Sequence, residues 1–512
     1  MAYGHGLEKM ADKGNKAFII RQLEAVGNDA AVGFLSPYLA DEQLADPAAR
    51  ALVRINTAGA RKALLDALPA ASGNIRLTLV EALGDCRAKE AVGAISAFLN
   101  NNDQPLEKVS LYALARIADP AAAPLLAAAA EKSGWTYDET NAVRAYLDFA
   151  NQLNAEGQPA LALQIADSVL QKADGGSRVH TRTAALKIIT RVQKEKSVPL
   201  LIEAMKDPDP EYRAAALKFA SAFSGDDAID LWIKELNRSS DTVKAEILQM
   251  LGQTGNHRAL PAVTGALGSK SEEVRMAAIR AAGDIGGAES LPALLNAMKT
   301  AGPEEVQAIP AAILRMKGPD LMRQVGNAIA SMPSANAQAS LIRILAARSA
   351  TDRLYDVMPL LNAKDTVVKN AAYAALKNMV GPENLPILFN LLVRTTNPGQ
   401  IRSVQEAIVS ATAGIKNKSR RVPVVEAEMI KKQTNQSFYY DILSGIGDQR
   451  AMNLLMNRYD NGDGQTKREV ALALSSCTSS MAIEPLLKIS RDTTGADYFD
   501  PALNGYIRLT ER

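Results

Sequence analysis

Three histidines, His5, His180 and His257, are all the chain offers for imidazole chemistry. A metal centre or a nucleophile–base–acid triad needs several such groups converging, so neither is expected. Asp460-Asn461-Gly462-Asp463-Gly464 has the look of a calcium loop, which requires oxygen ligands at alternate positions and a closing Glu. Gly462, Gly464 and Ala471 stand where those ligands belong. The motif fails, and a tight turn between helices is the expectation. Gly283-Asp284-Ile285-Gly286-Gly287 follows no strand and so lacks the setting of a phosphate cradle. Cys86 and Cys477 are too far apart along the chain to pair and read as small buried hydrophobes. No catalytic residue, no metal ligand and no cofactor site is expected.

The remaining chemistry is charge and contact. Arg182, Arg213, Lys244 and Arg275 recur at one interval, and such a ladder of cations could hold an extended acidic partner. The densest basic cluster is Lys416, Lys418, Arg420 and Arg421, with Lys431 and Lys432 beyond it. Phe438, Tyr439 and Tyr440 form the one run of three aromatics nearby. Because successive helical residues point in different directions, at least one of them should face outward. Cluster and triplet together make the candidate partner-contact patch. A net charge of +2 with both signs interspersed gives no long-range pull toward nucleic acid or an anionic membrane.

The elements that carry these residues follow from that same interval of 31 positions. Leu186, Leu217, Leu248 and Ile279 recur with the cations, as do Met205, Leu236, Leu267 and Met298. Within each interval apolar residues return at steps of three and four in two runs, which reads as two short helices. Pro199, Pro261 and Pro292 share one position in the opening turn of the second helix, where no backbone donor is lost. Asp207-Pro208-Asp209 and Ser239-Ser240-Asp241 offer N-cap oxygens. Gly252 and Gly283 fall where the first helix is expected to end with a residue at positive φ. One pair cannot bury its own apolar face, so the pattern implies stacked pairs.

The stretch from Glu273-Val274-Arg275-Met276-Ala277-Ala278-Ile279 to Gly286, followed by Leu291-Pro292-Ala293-Leu294-Leu295, resembles the HEAT repeats of the armadillo-like superfamily. More narrowly, it resembles the short bacterial units of phycobilin lyases. The resemblance implies an all-α fold, a right-handed α-solenoid or α-α superhelix, here of about 14 or 15 pairs. It also implies that the ladder cations pair with acidic groups of neighbouring units, and that the second helices line a concave binding face. Along that face Glu203, Lys234, Gly265 and Asn296 make a mixed surface, without the like-charged, aromatic stripe of a nucleic-acid groove.

In chain order, N-terminal pairs occupy 1–132, and a pair of longer helices over 133–177 is where the array could bend. Regular repeats fill 178–300, and an irregular stretch with Pro310 inside a helical run covers 301–334. C-terminal pairs run over 335–491, and the tail 492–512, with Tyr498, Phe499, Tyr506 and Leu509, caps the open end. The whole is expected to be a single solenoid. Trp232 shares a position with Leu201, Val263 and Leu294 and should be core.

The function expected is a monomeric, non-catalytic scaffold that binds a protein or extended ligand, with no nucleic acid and no membrane. One variant makes it the array portion of a larger bacterial, sugar-processing polypeptide. The alternatives are a chromophore-handling protein like phycobilin lyases and a nucleic-acid-binding array. No apolar run approaches the ~18 residues that span a bilayer. A native Met1 points to the cytoplasm, whereas a trimmed chain leaves a periplasmic or secreted origin open.

Overall fold

A computed structural model describes residues 7, 10–99, 103–175, 178–432, 434–492 and 496–511. His5 and Met1 lie outside them. Among the described residues there is no strand, and the fold is an all-α repeat solenoid. The chain divides into two compact units, 1–239 and 240–512. Seven helix pairs fill the first and eight the second among the described residues, and one further helix ends the second.

We number only the first helix of each pair. In the first unit these are α1 (Lys13–Val26), α2 (Ala45–Ile55), α3 (Gly73–Asp85), α4 (Gln104–Ile117), α5 (Ala142–Ala155), α6 (Val179–Gln193) and α7 (Pro210–Ala220). In the second they are α8 (Asp241–Thr254), α9 (Glu272–Ile285), α10 (Pro303–Arg315), α11 (Ala335–Ala347), α12 (Thr366–Met379), α13 (Pro398–Ala413), α14 (Gln436–Ile446), α15 (Gly464–Ser475) and α16 (Ala496–Thr510).

Local chemistry sets the ends of these helices. Asp209 caps α7, accepting from Glu211 N at 2.8 Å, and Ser271 caps α9 through Val274 N. Ser240 caps α8 by backbone position alone, without a side-chain bond. Several second helices open with a 3-10 turn and then a proline. Pro199 is the second residue of Val198–Glu203, Pro261 of Leu260–Ala266 and Pro292 of Leu291–Met298. Asn461 ends the helix Gln449–Asn461 and Asp463 caps α15, so the Asp460–Gly464 stretch is a turn.

Two glycines differ from expectation. Gly252 and Gly283 lie inside α8 and α9, and the positive φ belongs to Gly255 (65°) and Gly286 (78°) three residues later. What Gly252 and Gly283 supply is closeness. A Cβ on Gly252 would stand 2.7 Å from Ala281 Cα, and one on Gly283 would stand 2.8 Å from Ala312 Cα. In the first unit, Gly84 of α3 meets Ala113 of α4 in the same way, at 2.6 Å. The contact always joins the twelfth residue of one first helix to the tenth of the next. Toward the C-terminus the small residue changes sides, as Gly445 meets Val409 and Gly505 meets Ser475.

The core is built from Ala, Leu, Ile and Val, with Trp232 and Phe149 fully enclosed. The tail forms α16, whose Tyr498, Ala502 and Leu509 are buried. Its Arg508 donates to Ser475 O at 2.8 Å and Cys477 O at 2.6 Å, which ties α16 to the end of α15.

Candidate functional site

The cations of the 31-residue ladder are each the fourth residue of a first helix. A helical Cβ leans toward the N-terminus, so a long side chain there reaches back over the preceding turn. Arg213 Nη1 accordingly donates to Asp207 O and Pro208 O at 3.0 and 3.1 Å. Arg275 Nη1 donates to Ser269 O and Lys270 O, both at 2.9 Å, and its Nε meets the buried Glu305 of α10 at 2.6 Å. Arg182 is itself buried, pairs with Asp207 and lies 4.2 Å over the Tyr212 ring. That bond holds the Asp207 carboxyl below the usual carboxylate range. Lys244 is the weak member, 3.7 Å from Asp241 of its own helix. These side chains are occupied with joining turns and helices.

The basic cluster and aromatic triplet do not come together as a surface patch. Lys416, Lys418 and Arg420 are exposed, but Arg421 turns inward to donate to Ala413 O at 2.6 Å. Tyr439 and Tyr440 are core residues, and Tyr439 stacks on Phe389 with ring centres 6.4 Å apart. Only Phe438 is partly exposed. The reason is that α14 packs against both α13 and α15, so its buried face is wide enough to take Tyr439, Tyr440, Ile442 and Leu443 together.

The structure instead opens a groove in residues 1–239, along the first helices α4, α5 and α6. Two clefts, about 640 and 410 Å³, flank α5 and share Asn141, Arg144, Asp148 and Asn151 as their common wall. One faces α4 and the other α6. The twelfth residue of α5 is Leu153 and the tenth of α6 is Ile188, where the α3–α4, α8–α9 and α9–α10 junctions have Gly and Ala. Both bulky side chains are buried, and α5 and α6 pack less closely than α8 and α9. The gap between helices is the cleft.

The groove is held in shape. Arg178 Nε donates to Gly134 O at 2.9 Å and Thr181 Oγ1 to Trp135 O at 3.1 Å, which pins the loop leading into α5. Trp135 is buried, with its ring centre 6.4 Å from that of Tyr146. Asp138 accepts from Thr140 N and Ala142 N, both at 3.0 Å, and so closes the N-terminus of α5. This leaves Tyr137, 81% exposed, standing at the mouth. On the other side Tyr112 OH donates to Asp85 Oδ1 at 2.8 Å, and burial with that carboxylate pushes its pKa up to about 12. Within the common wall Arg144 lies 3.6 Å from Asp148. The groove walls raise the Asp148 pKa, against the pull of Arg144. Asn151 Oδ1 accepts from Arg191 Nη1 at 3.2 Å.

Residues 61–146, 166–231 and 229–314 match the family model for HEAT repeats. These stretches are HEAT repeats. Much of the groove lining falls within the first two of them, while Asp148 and Asn151 of the common wall lie between the two. Among solved structures, Kap121p matches at 13% identity over 100% of this chain and 69% of its own, with a TM-score of 0.46. Kap121p bound to Ste12p matches at 13% over 94% and 66%, with a TM-score of 0.47. Importin Beta in an ammonium sulfate condition matches at 13% over 99% and 76%, with a TM-score of 0.30. No curated protein matches.

Five clefts in the two units are lined chiefly by first helices and their flanking turns, not by the second helices that the resemblance pointed to. Sequence reasoning read 133–177 as a pair of longer helices where the array could bend but did not single out Tyr112, Tyr137, Arg144 or Asp148. The available signal was the break in period itself. Among the described residues no group of three or more His, Cys, Asp or Glu is placed to hold a metal. His180 lines the groove, while the exposed His257 lies 3.2 Å from Glu289. No helix among the described residues is long and apolar enough to cross a membrane.

Proposed function

We propose that the chain is a monomeric, non-catalytic scaffold whose HEAT repeats hold an extended segment of a partner protein along the first-helix groove at α4, α5 and α6. The supporting observation is the exposed Tyr137, carried by a pinned loop beside the α5–α6 cleft, which shares one wall with the α4–α5 cleft. An aromatic side chain carried on a held backbone offers large contact area, which suits an interface anchor. The open clefts are long rather than enclosed, and repeat arrays use such extended surfaces for binding. Interleaved charges argue against nucleic acid as the occupant. The exposed Lys416, Lys418 and Arg420 are a second, lesser contact surface in the same reading.

A photo-crosslinking residue placed at Tyr137 tests this, with one at Tyr355, 69% exposed in the other unit, as control. In extract from the source cells, one defined protein adduct is expected at 137 and none at 355. Equal labelling at both positions, or no adduct at either, would remove the proposal.

A further inference from the structure

The charges of the groove are unequal once the internal partners are subtracted. Arg144 is matched by Asp148, Arg116 lies 3.6 Å from Asp85, and Asp138 is spent on the N-terminus of α5. Lys108 and Lys187 are exposed and make no ion pair among the described residues. Arg191 is held only by the neutral Asn151. Against these three cations the lining keeps two carboxylates without an ion pair among the described residues, Glu81 and Asp138. Asp138 is bonded to neutral groups, the backbone amides of Thr140 and Ala142 and the Thr140 hydroxyl. The unspent charge is therefore positive, and it sits on the two outer walls. Lys108 belongs to α4 and Lys187 to α6, with α5 between them.

From this arrangement we infer that the groove takes an extended acidic peptide segment, laid across α5 with carboxylates reaching Lys108 on one wall and Lys187 on the other. The inference rests on the scaffold reading and adds the partner's chemistry to it. Packed helix axes lie roughly 10 Å apart, so the two walls are separated by roughly 20 Å. An extended chain covers that distance in about six residues, at ~3.3 Å each. Its carboxylates would meet Lys108, Lys187 and Arg191, while its backbone amides lie over the Asn141 and Asn151 side chains, which can both donate and accept. Tyr112 and Tyr137 stand one in each cleft and supply apolar area beside the charges. A basic segment would leave the lysines opposed by like charge.

The test uses the whole chain and a fluorescent peptide of about ten alternating Glu and Thr residues, long enough for the span above. Fluorescence anisotropy at low salt should show saturable binding that weakens as salt rises. In the variant K108E/K187E the affinity should fall by about tenfold or more, and a matching Lys/Thr peptide should now bind. Both lysines are exposed, so circular dichroism should confirm an unchanged fold. Reversal at Lys317 and Lys364, both exposed within residues 240–512 and part of neither contact surface, should leave binding as it was. The inference fails if K108E/K187E binds the acidic peptide as the parent does, or if the parent binds the Lys/Thr peptide equally. It also fails if inorganic polyphosphate displaces the peptide from parent and variant alike, which would mark a general polyanion surface. If the acidic peptide fails while the adduct at position 137 still forms, only the partner's charge is wrong. Loss of both removes the scaffold reading as well.

Discussion

Gly283 lies so near Ala312 that a methyl group added to it would stand 2.8 Å from both the Cα and the Cβ of Ala312. This contact is the pitch-setting device of the array. It fixes how near one first helix comes to the next, and it recurs at Gly84 and Ala113 and at Gly252 and Ala281. At α5 and α6 the same two positions hold Leu153 and Ile188, and one of the two clefts lies between these helices.

Gly283→Ala should therefore destabilise the chain, although alanine is the better helix former by ~1 kcal/mol. Overpacking of this kind costs about 1–3 kcal/mol. Adding Ala312→Gly should recover part of the loss, since the small residue works from either side at Gly445 and Gly505. Urea denaturation of the two variants checks this. A neutral or stabilising Gly283→Ala would show that the helices yield freely.

Two cations of one ladder should differ sharply in worth. Arg275→Met leaves Glu305, only 5% exposed, without its ion partner, and removes two bonds to backbone carbonyls. Breaking a buried pair costs about 3–5 kcal/mol. Lys244→Met removes an exposed pair at 3.7 Å, and the cost should be under ~0.5 kcal/mol. Equal losses in denaturation would contradict the assignment of Arg275 as a tie between units.

Asp207 gives the acid response a definite sign. Its pKa is lowered in the folded chain by the Arg182 bond, so its contribution is whole above the unfolded-state value of about 3.9. The contribution is lost as pH falls from there through the folded value. Arg182→Met removes the cause. The stability gap between parent and variant should narrow as pH drops from about 6 to about 2, and a gap that stays constant would place the role of Arg182 in packing over Tyr212 alone.

The loop that carries Tyr137 should loosen without the fold giving way. Arg178→Ala deletes the bond to Gly134 O but touches no buried apolar residue of the loop. Hydrogen exchange over residues 134–141 should quicken while global stability changes by less than ~1 kcal/mol. Unchanged exchange there would mean that the Thr181 bond and Trp135 hold the loop unaided.

How far the sequence revealed this molecule depends on whether a residue acts through periodicity. Pro292 and the Arg275 position recur at a fixed interval because every unit solves the same packing problem, so helix pairs and their order were legible. The small residue at Gly283 was equally visible, but recurrence alone does not separate a helix end from a helix contact. That distinction needs the neighbour, Ala312. Tyr439 and Tyr440 were misplaced because α14 is covered on two flanks, a matter of packing rather than pattern. The groove escaped notice for the opposite reason. Arg144 and Tyr137 lie where the units change length, and such a change carries no register against which to read them.

Trp232 offers a final test of how tightly these units are filled. Its side chain has no exposure, and its Nε1 donor has no hydrogen-bond partner. Leaving such a donor unpaired costs ~1–3 kcal/mol, which offsets part of what burying the ring contributes. Trp232→Phe gives up some volume but also removes the stranded donor, so the two effects should largely cancel, leaving a loss below ~1.5 kcal/mol. Trp232→Ala has no such compensation and should cost about 3–5 kcal/mol. If Phe proves as damaging as Ala in urea denaturation, the indole N–H is satisfied by a buried water, and the space beside it is a polar pocket rather than dry core.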